Sequence, residues 1–269
     1  MTLVTIPGRA AAAVAATAAP KAAQGALAVL GEDLIGVWVI HISPGRLPGV
    51  AAPGDAIGMI RPLSARRGAY GGFAAADGRG APLAQVGGRL AASTATTPLW
   101  CDARPVDRSS FGIGMLYNFT ADALSVTRDH MGNNESGGGK DPAILSRSVG
   151  GAPDQMVKWK GITASWLTSQ SADLQERARI RETGWHILAA DEDASQSALS
   201  IDARAPIIAP TDSIVPTLSA IRFGGTSDAT PGMGAVTAFM VCDGPLVQDA
   251  ARLAAWRGFC DAVLDDLRG

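Results

Sequence analysis

Residues 110–119 read SFGIGMLYNF, and this stretch decides the fold class of the chain. Its large apolar residues recur at every second position, which is the period of a β-strand that covers a core with one face. They are Phe111, Ile113, Met115, Tyr117 and Phe119. A helix would place its apolar residues three or four positions apart, so the stretch predicts a strand in a layered β-protein.

Short apolar stretches continue this pattern on both sides of the strand. Residues 34–42, LIGVWVIHI, are apolar on both faces and rich in β-branched residues, so we expect them inside a sheet. Further strands are predicted at 123–128, 155–160, 161–167, 184–190, 198–202, 218–223 and 235–242. Residues 43–110 are dense in Gly, Pro and Ala and give only weak strand signals, at 56–61 and 99–101. The glycine-rich segment 131–141 is predicted to be a loop.

The composition of the 269 residues agrees with short strands and turns. The 32 Gly and 16 Pro interrupt helices too often for long helices to dominate. Because 47% of the residues are hydrophobic and 18% are charged, the chain can build a core and is not disordered throughout. The net charge of −2 gives no overall basic field for nucleic acid. The three cysteines, Cys101, Cys242 and Cys260, are too scattered for a disulfide framework and are interpreted as reduced core thiols.

The two ends of the chain differ from the middle. Residues 1–32 are Ala-rich and predict an arm or helix that gains order by docking; a frayed terminus and a cleaved secretory signal remain open alternatives. The Ala tract at 10–19 is too short and too weakly apolar to span a membrane. Residues 247–267 carry a helical apolar stripe and predict an amphipathic C-terminal helix. The predicted division is therefore an arm at 1–32 and a β-sandwich at 33–269 that includes the helix.

The last third of the chain has an order of segments that supports a family resemblance. A strand GWHILAA (184–190) leads through the acidic turn 191–193 to a strand that ends at Asp202, followed by IRFGG (221–225), GAVTAFMV (234–241), CDGPL (242–246) and the helix. This succession resembles the closing half of the concanavalin A-like, laminin-G-like jelly roll. The resemblance implies two antiparallel sheets packed face to face. Ala203 departs from it, because the family usually has Gly after the Asp.

No local motif predicts catalysis. Members of this fold that cleave polysaccharides carry a strand motif of the form E-x-D-x-x-E, which supplies the two carboxylates that glycosidic hydrolysis needs. None of the five glutamates lies in such a motif; they are Glu32, Glu135, Glu176, Glu182 and Glu192. The sequence-based prediction is therefore no catalytic residue and no enzyme, with a polysaccharide hydrolase or lyase acting through Asp191–Asp193 kept as the weakest alternative.

Three aspartates are candidate metal ligands. Asp191, Asp193 and Asp202 fall at positions 1, 3 and 12 of a calcium-loop template, with serines at positions 5 and 7. Gln196 stands where that template needs Gly, and position 12 holds Asp instead of Glu. A bound Ca²⁺ is therefore a hypothesis beside the plainer interpretation, a hydrophilic β-turn, and no other cofactor is predicted.

A second set of candidates concerns glycans. Arg177, Arg179 and Arg181 alternate, as do Lys158 and Lys160, and on strands such residues would form basic stripes able to meet acidic glycans or an acidic subunit. The plainer interpretation is the solvated face of an edge strand. The sugar-stacking candidates are Trp100, Trp159 and Trp166.

These observations lead to a functional prediction. A non-enzymatic virion component is predicted from three features. They are the Ala-rich arm, the missing catalytic motif and a jelly roll of the kind found in bacteriophage fibre, spike and decoration proteins. This component would assemble with other virion subunits through its arm, as a homo-oligomer, and display the sandwich to host glycans, with neither nucleic acid nor a membrane span involved. The alternative is a secreted bacterial carbohydrate-binding or adhesion module.

Overall fold

We analysed a computed structural model of the chain. It describes residues 25, 27–40, 47, 50, 52–65, 80–97, 99–101, 110–121, 128–133, 143–148, 155–160, 172–193, 195–210, 221–227, 230–231 and 234–265. Seventeen strands lie within these ranges: β1 (Leu34–Val39), β2 (Ser64–Ala65), β3 (Leu83–Val86), β4 (Arg89–Ser93), β5 (Leu99–Cys101), β6 (Phe111–Phe119), β7 (Arg128–Asn133), β8 (Ala143–Ser148), β9 (Gln155–Lys160), β10 (Arg179–Ile180), β11 (Gly184–Glu192), β12 (Gln196–Ile201), β13 (Ile207–Pro210), β14 (Ile221–Phe223), β15 (Gly225–Ser227), β16 (Thr230–Pro231) and β17 (Ala235–Asp243). A 3₁₀ helix spans Leu27–Asp33, and two α-helices are α1 (Ala172–Arg177) and α2 (Ala250–Asp265).

Most of the strands form two antiparallel sheets. The nine-stranded sheet has the order β13-β12-β11-β6-β17-β1-β2, with the β3–β4 hairpin attached to β17 through β4. The six-stranded sheet has the order β10-β9-β8-β7-β14-β5. The strand predicted from SFGIGMLYNF is β6, and it lies at the centre of the larger sheet between β11 and β17. The prediction of an all-β antiparallel architecture is confirmed.

A continuous apolar core joins the facing sides of the two sheets. Its members include Tyr117, Phe119 and Phe239 from the larger sheet and Leu99, Ile221 and Phe223 from the smaller one, all buried. The rings of Phe223 and Phe239 meet across the core with centroids 4.5 Å apart. The two sheets therefore pack as a sandwich, because each buries one apolar face against the other.

Helix α2 covers the other face of the nine-stranded sheet. Its stripe Leu253, Trp256, Phe259, Cys260 and Val263 is buried, as the sequence predicted. Trp256 is fixed over the sheet by a hydrogen bond from its Nε1 to the carbonyl of Leu188, at 3.1 Å. Burial raises the pKa of the Cys242 thiol to about 12 and also raises that of Cys260, and both are free cysteines.

Two glycines in β6 make room for side chains that pack on this face, Gly114 for Trp256 of α2 and Gly112 for Cys242 of β17. An added Cβ at Gly114 would lie 2.8 Å from Cδ2 and Cζ2 of Trp256, and one at Gly112 would lie 2.8 Å from Sγ of Cys242. Both distances are well inside the separation at which carbon and sulfur atoms pack. SFGIGMLYNF thus encodes two faces: large residues fill the sandwich core, and glycines leave room for the side chains that pack on the other face.

The N-terminal helical segment packs beside α2. Leu27 and Leu30 are buried in the same apolar cluster as the helix stripe, and Arg252 of α2 forms an ion pair with Asp33. The rest of the predicted arm lies outside the described residues, apart from Gly25. In the part of the chain that the structure describes, no helix is both long and apolar enough to cross a membrane.

Some sequence-based element predictions need correction. Residues 123–128 were predicted as a strand next to SFGIGMLYNF along the chain and as its partner; β6 pairs instead with β11 and β17, and residues 123–127 lie outside the described residues. Within the poorly readable 43–110, residues 83–93 form the β3–β4 hairpin around Gly87 and Gly88, whose φ values of 54° and 78° suit glycine in a tight turn. The predicted strand 161–167 lies outside the described residues.

Candidate functional site

The outer face of the six-stranded sheet is the side that points away from the sandwich core. The nine-stranded sheet has the core on one side and α2 packed on the other. The orientation of the smaller sheet is fixed at two strands by buried residues. Ile221 and Phe223 of β14 and Ile180 of β10 lie in the sandwich core. Their neighbours along each strand therefore belong to the outer face.

From β14, which lies next to the edge strand β5, Arg222 identifies the outer row of residues. It stands between the core residues Ile221 and Phe223, so alternation assigns it to the opposite face. Residues directly opposite each other in an antiparallel pair share a face. Through these pairs the row of Arg222 extends to Trp100, Gly132, Ala143 and Lys160.

From the β10 edge, the register leads to the same assignment. Arg179 precedes the core residue Ile180 and is opposite Met156 of β9. Met156 belongs to the same face as Lys158 and Lys160, at intervals of two residues. The two strands thus agree on Lys160, although a bulge interrupts β7 between Asp129 and Met131.

The charged residues placed in this outer row are mostly basic. Arg147 of β8 belongs to this row because it is opposite Met156 of β9. Asp129 of β7 belongs to it because it is opposite Leu145, which lies two residues from Ala143 on β8. The charged members of the face are Asp129, Arg147, Lys158, Lys160, Arg179 and Arg222. Arg222 is buried, whereas the side chain of Arg179 is 25% exposed. We call this set the basic face.

The sequence-predicted tryptophans fall in different places. Trp100 is directly opposite Arg222 and so belongs to the row of the basic face. In the register, Trp159 of β9 is paired with Ile144 of β8, and Ile144 is paired with Met131 of β7. Met131 is in turn paired with the core residue Phe223 of β14. The register therefore places Trp159 in a different row from Trp100. Trp166 lies outside the described residues.

The three alternating arginines do not form one strand stripe. Arg177 ends α1 and forms an ion pair with Asp173, Arg179 begins β10, and Arg181 follows that strand. Arg181 binds both carboxylate oxygens of Glu176, with Nη2 to Oε2 at 2.8 Å. This ion pair and the hydrogen bond within it lower the pKa of Glu176. Of the three arginines, only Arg179 belongs to the basic face.

The predicted metal ligands are engaged by the protein itself. Asp191 is buried, and its carboxylate accepts hydrogen bonds from the N–H of Val247 and from the N–H and side-chain amide of Gln248, the latter two at 2.9 Å. Burial raises the pKa of Asp191, and these hydrogen bonds oppose the rise. The side chain therefore ties β11 to the turn before α2.

Asp193 and Asp202 lie at opposite ends of the β11–β12 hairpin. Asp193 Oδ1 accepts the N–H groups of Ser195 and Gln196, at 2.7 and 2.8 Å, and so forms the hydrophilic turn. At the far end, Asp202 accepts the N–H of Ile187 at 2.9 Å and pairs with Nδ1 of His186 at 2.9 Å. In the described ranges, no group of three or more His, Cys, Asp or Glu is close enough to hold a metal ion.

Three members of the basic face, Asp129, Arg147 and Arg222, were not predicted from the sequence. Arg222 stands between two apolar residues in Ile221-Arg222-Phe223, which is the alternation of a strand with one polar face. Arg147 carries no such signal, because its neighbours are serines. Only the pairing of β8 with β9 places it beside the lysines.

Comparison with known proteins gives a fold likeness and no family. No family model matches the sequence, and no curated protein matches it either. Among solved structures, the chain is similar to a Trypanosoma rangeli sialidase, with a TM-score of 0.54, 12% identity, and coverage of 91% of this chain and 39% of the sialidase. The same enzyme in complex with sialic acid gives a TM-score of 0.52 at 11% identity, covering 95% of this chain and 40% of the sialidase.

A second enzyme shows the same likeness. An arabinofuranosidase complexed with arabinofuranosyl-α-1,2-xylobiose matches with a TM-score of 0.51 and 12% identity over 76% of this chain and 51% of the enzyme. The chain thus spans about two fifths to one half of the length of these structures. At such identity the likeness concerns the fold.

The comparisons correct the functional prediction made from the sequence. A non-enzymatic virion component was expected, but the sialidase and the arabinofuranosidase that this fold resembles are enzymes. The prediction relied on a missing E-x-D-x-x-E motif, and that inference was wrong because enzymes share a sandwich without sharing the local motif of one subgroup. The expectation that the chain is not an enzyme is corrected for the same reason.

Proposed function

We propose that this chain is the β-sandwich of a carbohydrate-active enzyme and that a glycan binds across the outer face of the six-stranded sheet. The observation that carries this proposal is the register of that sheet. Trp100 pairs in register with Arg222, whose strand neighbours Ile221 and Phe223 lie in the core, and this supports a site on the side of the sheet away from the core. Glycan sites on proteins combine an aromatic platform with polar side chains, and this row supplies both residue types.

The fold likeness supports the carbohydrate-active part of the proposal. The chain resembles two glycoside hydrolases that act on different sugars, a sialidase and an arabinofuranosidase. Fold alone does not carry function, so the chemistry has to come from the site. We further propose that the sandwich is of the concanavalin A-like, laminin-G-like kind, which the order of segments from Gly184 to α2 supports.

Trp100 is the residue whose substitution tests the glycan-binding surface. We expect Trp100→Ala to weaken binding to the bound polysaccharide about three- to tenfold, because stacking of a ring contributes about 0.5–1.5 kcal/mol. The matched control is Trp185→Ala. Trp185 is half-buried near a sheet end and packs on the α2 side, with the Arg89 guanidinium 5.8 Å from its ring.

The experiment is a binding titration with a panel of neutral and acidic polysaccharides, combined with an assay for release of reducing ends. Circular dichroism melts of both variants would exclude unfolding as the cause of lost binding. Release of reducing ends by the wild-type chain would show that it cleaves a glycan, whereas binding without release would assign it to the binding part of an enzyme. If no polysaccharide binds and none is cleaved, the proposal is refuted.

A further inference from the structure

We infer that His186 is a pH-dependent clamp, which holds the connection between the two sheets in place while its imidazole ring is protonated. The connection consists of residues 181–183 and joins β10 of the six-stranded sheet to β11 of the nine-stranded sheet. The inference rests on the oxygen atoms around one side chain, so it stands or falls independently of the proposed glycan site.

Both nitrogens of the His186 ring face oxygen atoms that can only accept hydrogen bonds. Nδ1 lies 2.9 Å from Oδ2 of Asp202, and Nε2 lies 3.2 Å from the backbone carbonyl oxygen of Glu182. A neutral imidazole carries one N–H, so it would leave one of these oxygens facing a ring lone pair. The imidazolium form donates to both. The arrangement therefore requires a proton on each ring nitrogen as long as Asp202 is ionised.

The contacts of Asp202 favour its ionised form. Its Oδ1 accepts the N–H of Ile187 at 2.9 Å. Burial by itself would raise the pKa of Asp202, but the contacts with His186 and the N–H of Ile187 outweigh burial and leave that pKa lowered. A protonated Asp202, the alternative donor to Nδ1, is therefore excluded near neutral pH. Asp202 lies at the far end of the β11–β12 hairpin from Asp191 and Asp193, so these three aspartates do not form one ion site.

The pair lies in a partly enclosed position at the edge of the sandwich core. The side chain of His186 is 13% exposed and that of Asp202 is 33% exposed. Phe119 of β6 meets the imidazole ring edge to face, with centroids 5.5 Å apart. Because water has little access to the ring, loss of its proton would leave an acceptor without a donor, which costs more than the exchange of one hydrogen bond for another.

Other charged groups surround the pair. Within the described residues they belong to the connection, to the turn after β12 and to the two α-helices. They are Arg181, Glu182, Arg204, Glu176, Arg257 and Asp261. Among all these residue types, histidine is the one that ordinarily changes charge between about pH 5 and pH 8. Burial and the nearby Asp265 raise the pKa of Asp261, so the titration of that carboxyl needs a control.

Loss of the ring proton would release the connection while its two ends stay attached. Gly184, which follows the connection, has a φ of 137°, a conformation that glycine adopts more easily than other residues. Before the connection, Arg204 binds the backbone carbonyl of Arg177 at 3.0 Å and also that of Arg179, and so holds the start of β10. We therefore expect the opening at residues 181–186 and at the Ile187 N–H, which shares the Asp202 carboxylate.

The test measures amide hydrogen exchange of the full chain by NMR from about pH 5.5 to about pH 8.5, with rates corrected for the intrinsic pH dependence of exchange. We expect the protection factor of the Ile187 amide to fall about tenfold or more over this range, because a hydrogen bond to a charged group contributes about ten- to hundredfold. The ¹⁵N shifts of the His186 ring should show two protonated nitrogens at the acid end.

Two variants separate the ring from its neighbours. His186→Gln keeps a donor and an acceptor at this position and does not titrate, so its Ile187 protection factor should not change with pH. Asp261→Asn removes the competing carboxyl and should retain the full fall. Circular dichroism melts at about pH 6 would show that both variants are folded.

Three results would overturn the inference. The first is an Ile187 protection factor that stays constant in the wild type or falls equally in His186→Gln. The second is loss of the fall in Asp261→Asn, which would assign the pH dependence to that carboxyl. The third is a neutral His186 ring at the acid end, and this measurement on the wild type decides the question even where a variant does not fold.

Discussion

Gly114→Ala is expected to destabilise the protein by loosening α2 from the sheet. The added Cβ would lie 2.8 Å from two ring atoms of Trp256, about 1 Å closer than carbon atoms pack. The ring cannot move freely, because its Nε1 binds Leu188 O and its face stacks on Phe259. Overpacking of this kind costs about 1–3 kcal/mol, and removing a glycine from a strand offsets about 0.5–1 kcal/mol of that cost.

The expected net loss of about 1–2 kcal/mol corresponds to a fall in melting temperature of roughly 3–8 °C for a domain of this size. Urea and thermal unfolding followed by circular dichroism would measure it. The control is Gly258→Ala in α2, where an added Cβ meets nothing within 4 Å. That variant should gain up to about 1 kcal/mol, because alanine forms helices better than glycine. Combining Gly114→Ala with Trp256→Phe should cost less than the sum of the single changes. Neutral behaviour of Gly114→Ala would refute the packing of Trp256 on β6.

Two carboxylates should affect stability in opposite directions as pH changes. Asp191→Ala should cost about 2–4 kcal/mol, because it leaves buried N–H donors unsatisfied. Asp191→Asn, which keeps an acceptor, should cost much less. Because burial raises the pKa of this carboxyl, the free energy of unfolding of the wild type relative to Asp191→Asn should fall as pH rises. At Asp202, burial raises the pKa, but His186 and the Ile187 N–H outweigh it and leave the pKa lowered. Its stabilisation is therefore present above about pH 4 and lost below it, so Asp202→Asn should flatten the acid limb of an unfolding curve measured from pH 7 to pH 2.

The sequence predicts the elements that carry strong periodicity. β6, β9, β11 and α2 were expected at 110–119, 155–160, 184–190 and 247–267, and the structure places them within a few residues of those bounds. β6 has its large apolar residues at a period of two and α2 has a stripe at helical spacing, so both give a clear local signal.

Other elements have no such signal. β3 and β4 consist largely of small residues whose burial depends on β17 and on each other. Arg177, Arg179 and Arg181 alternate as a strand would, yet Arg177 belongs to α1, where Asp173 lies one helical turn before it and supports the helix. The basic face is a product of pairing between strands from five regions of the chain, and a linear pattern does not contain that register.

The position of β17 has a consequence for how the protein reaches its native state. β17 pairs with both β6 and β1 at the middle of the larger sheet, although it comes near the end of the described chain. During synthesis the chain emerges from its N-terminus at about 5–20 residues per second, so β1 and β6 exist for several seconds before their shared partner. Over that interval two apolar strands expose open hydrogen-bonding edges. Folding is therefore expected to be slow and to complete only after residues 235–265 have left the ribosome, and the nascent chain before that point is the form most prone to aggregate.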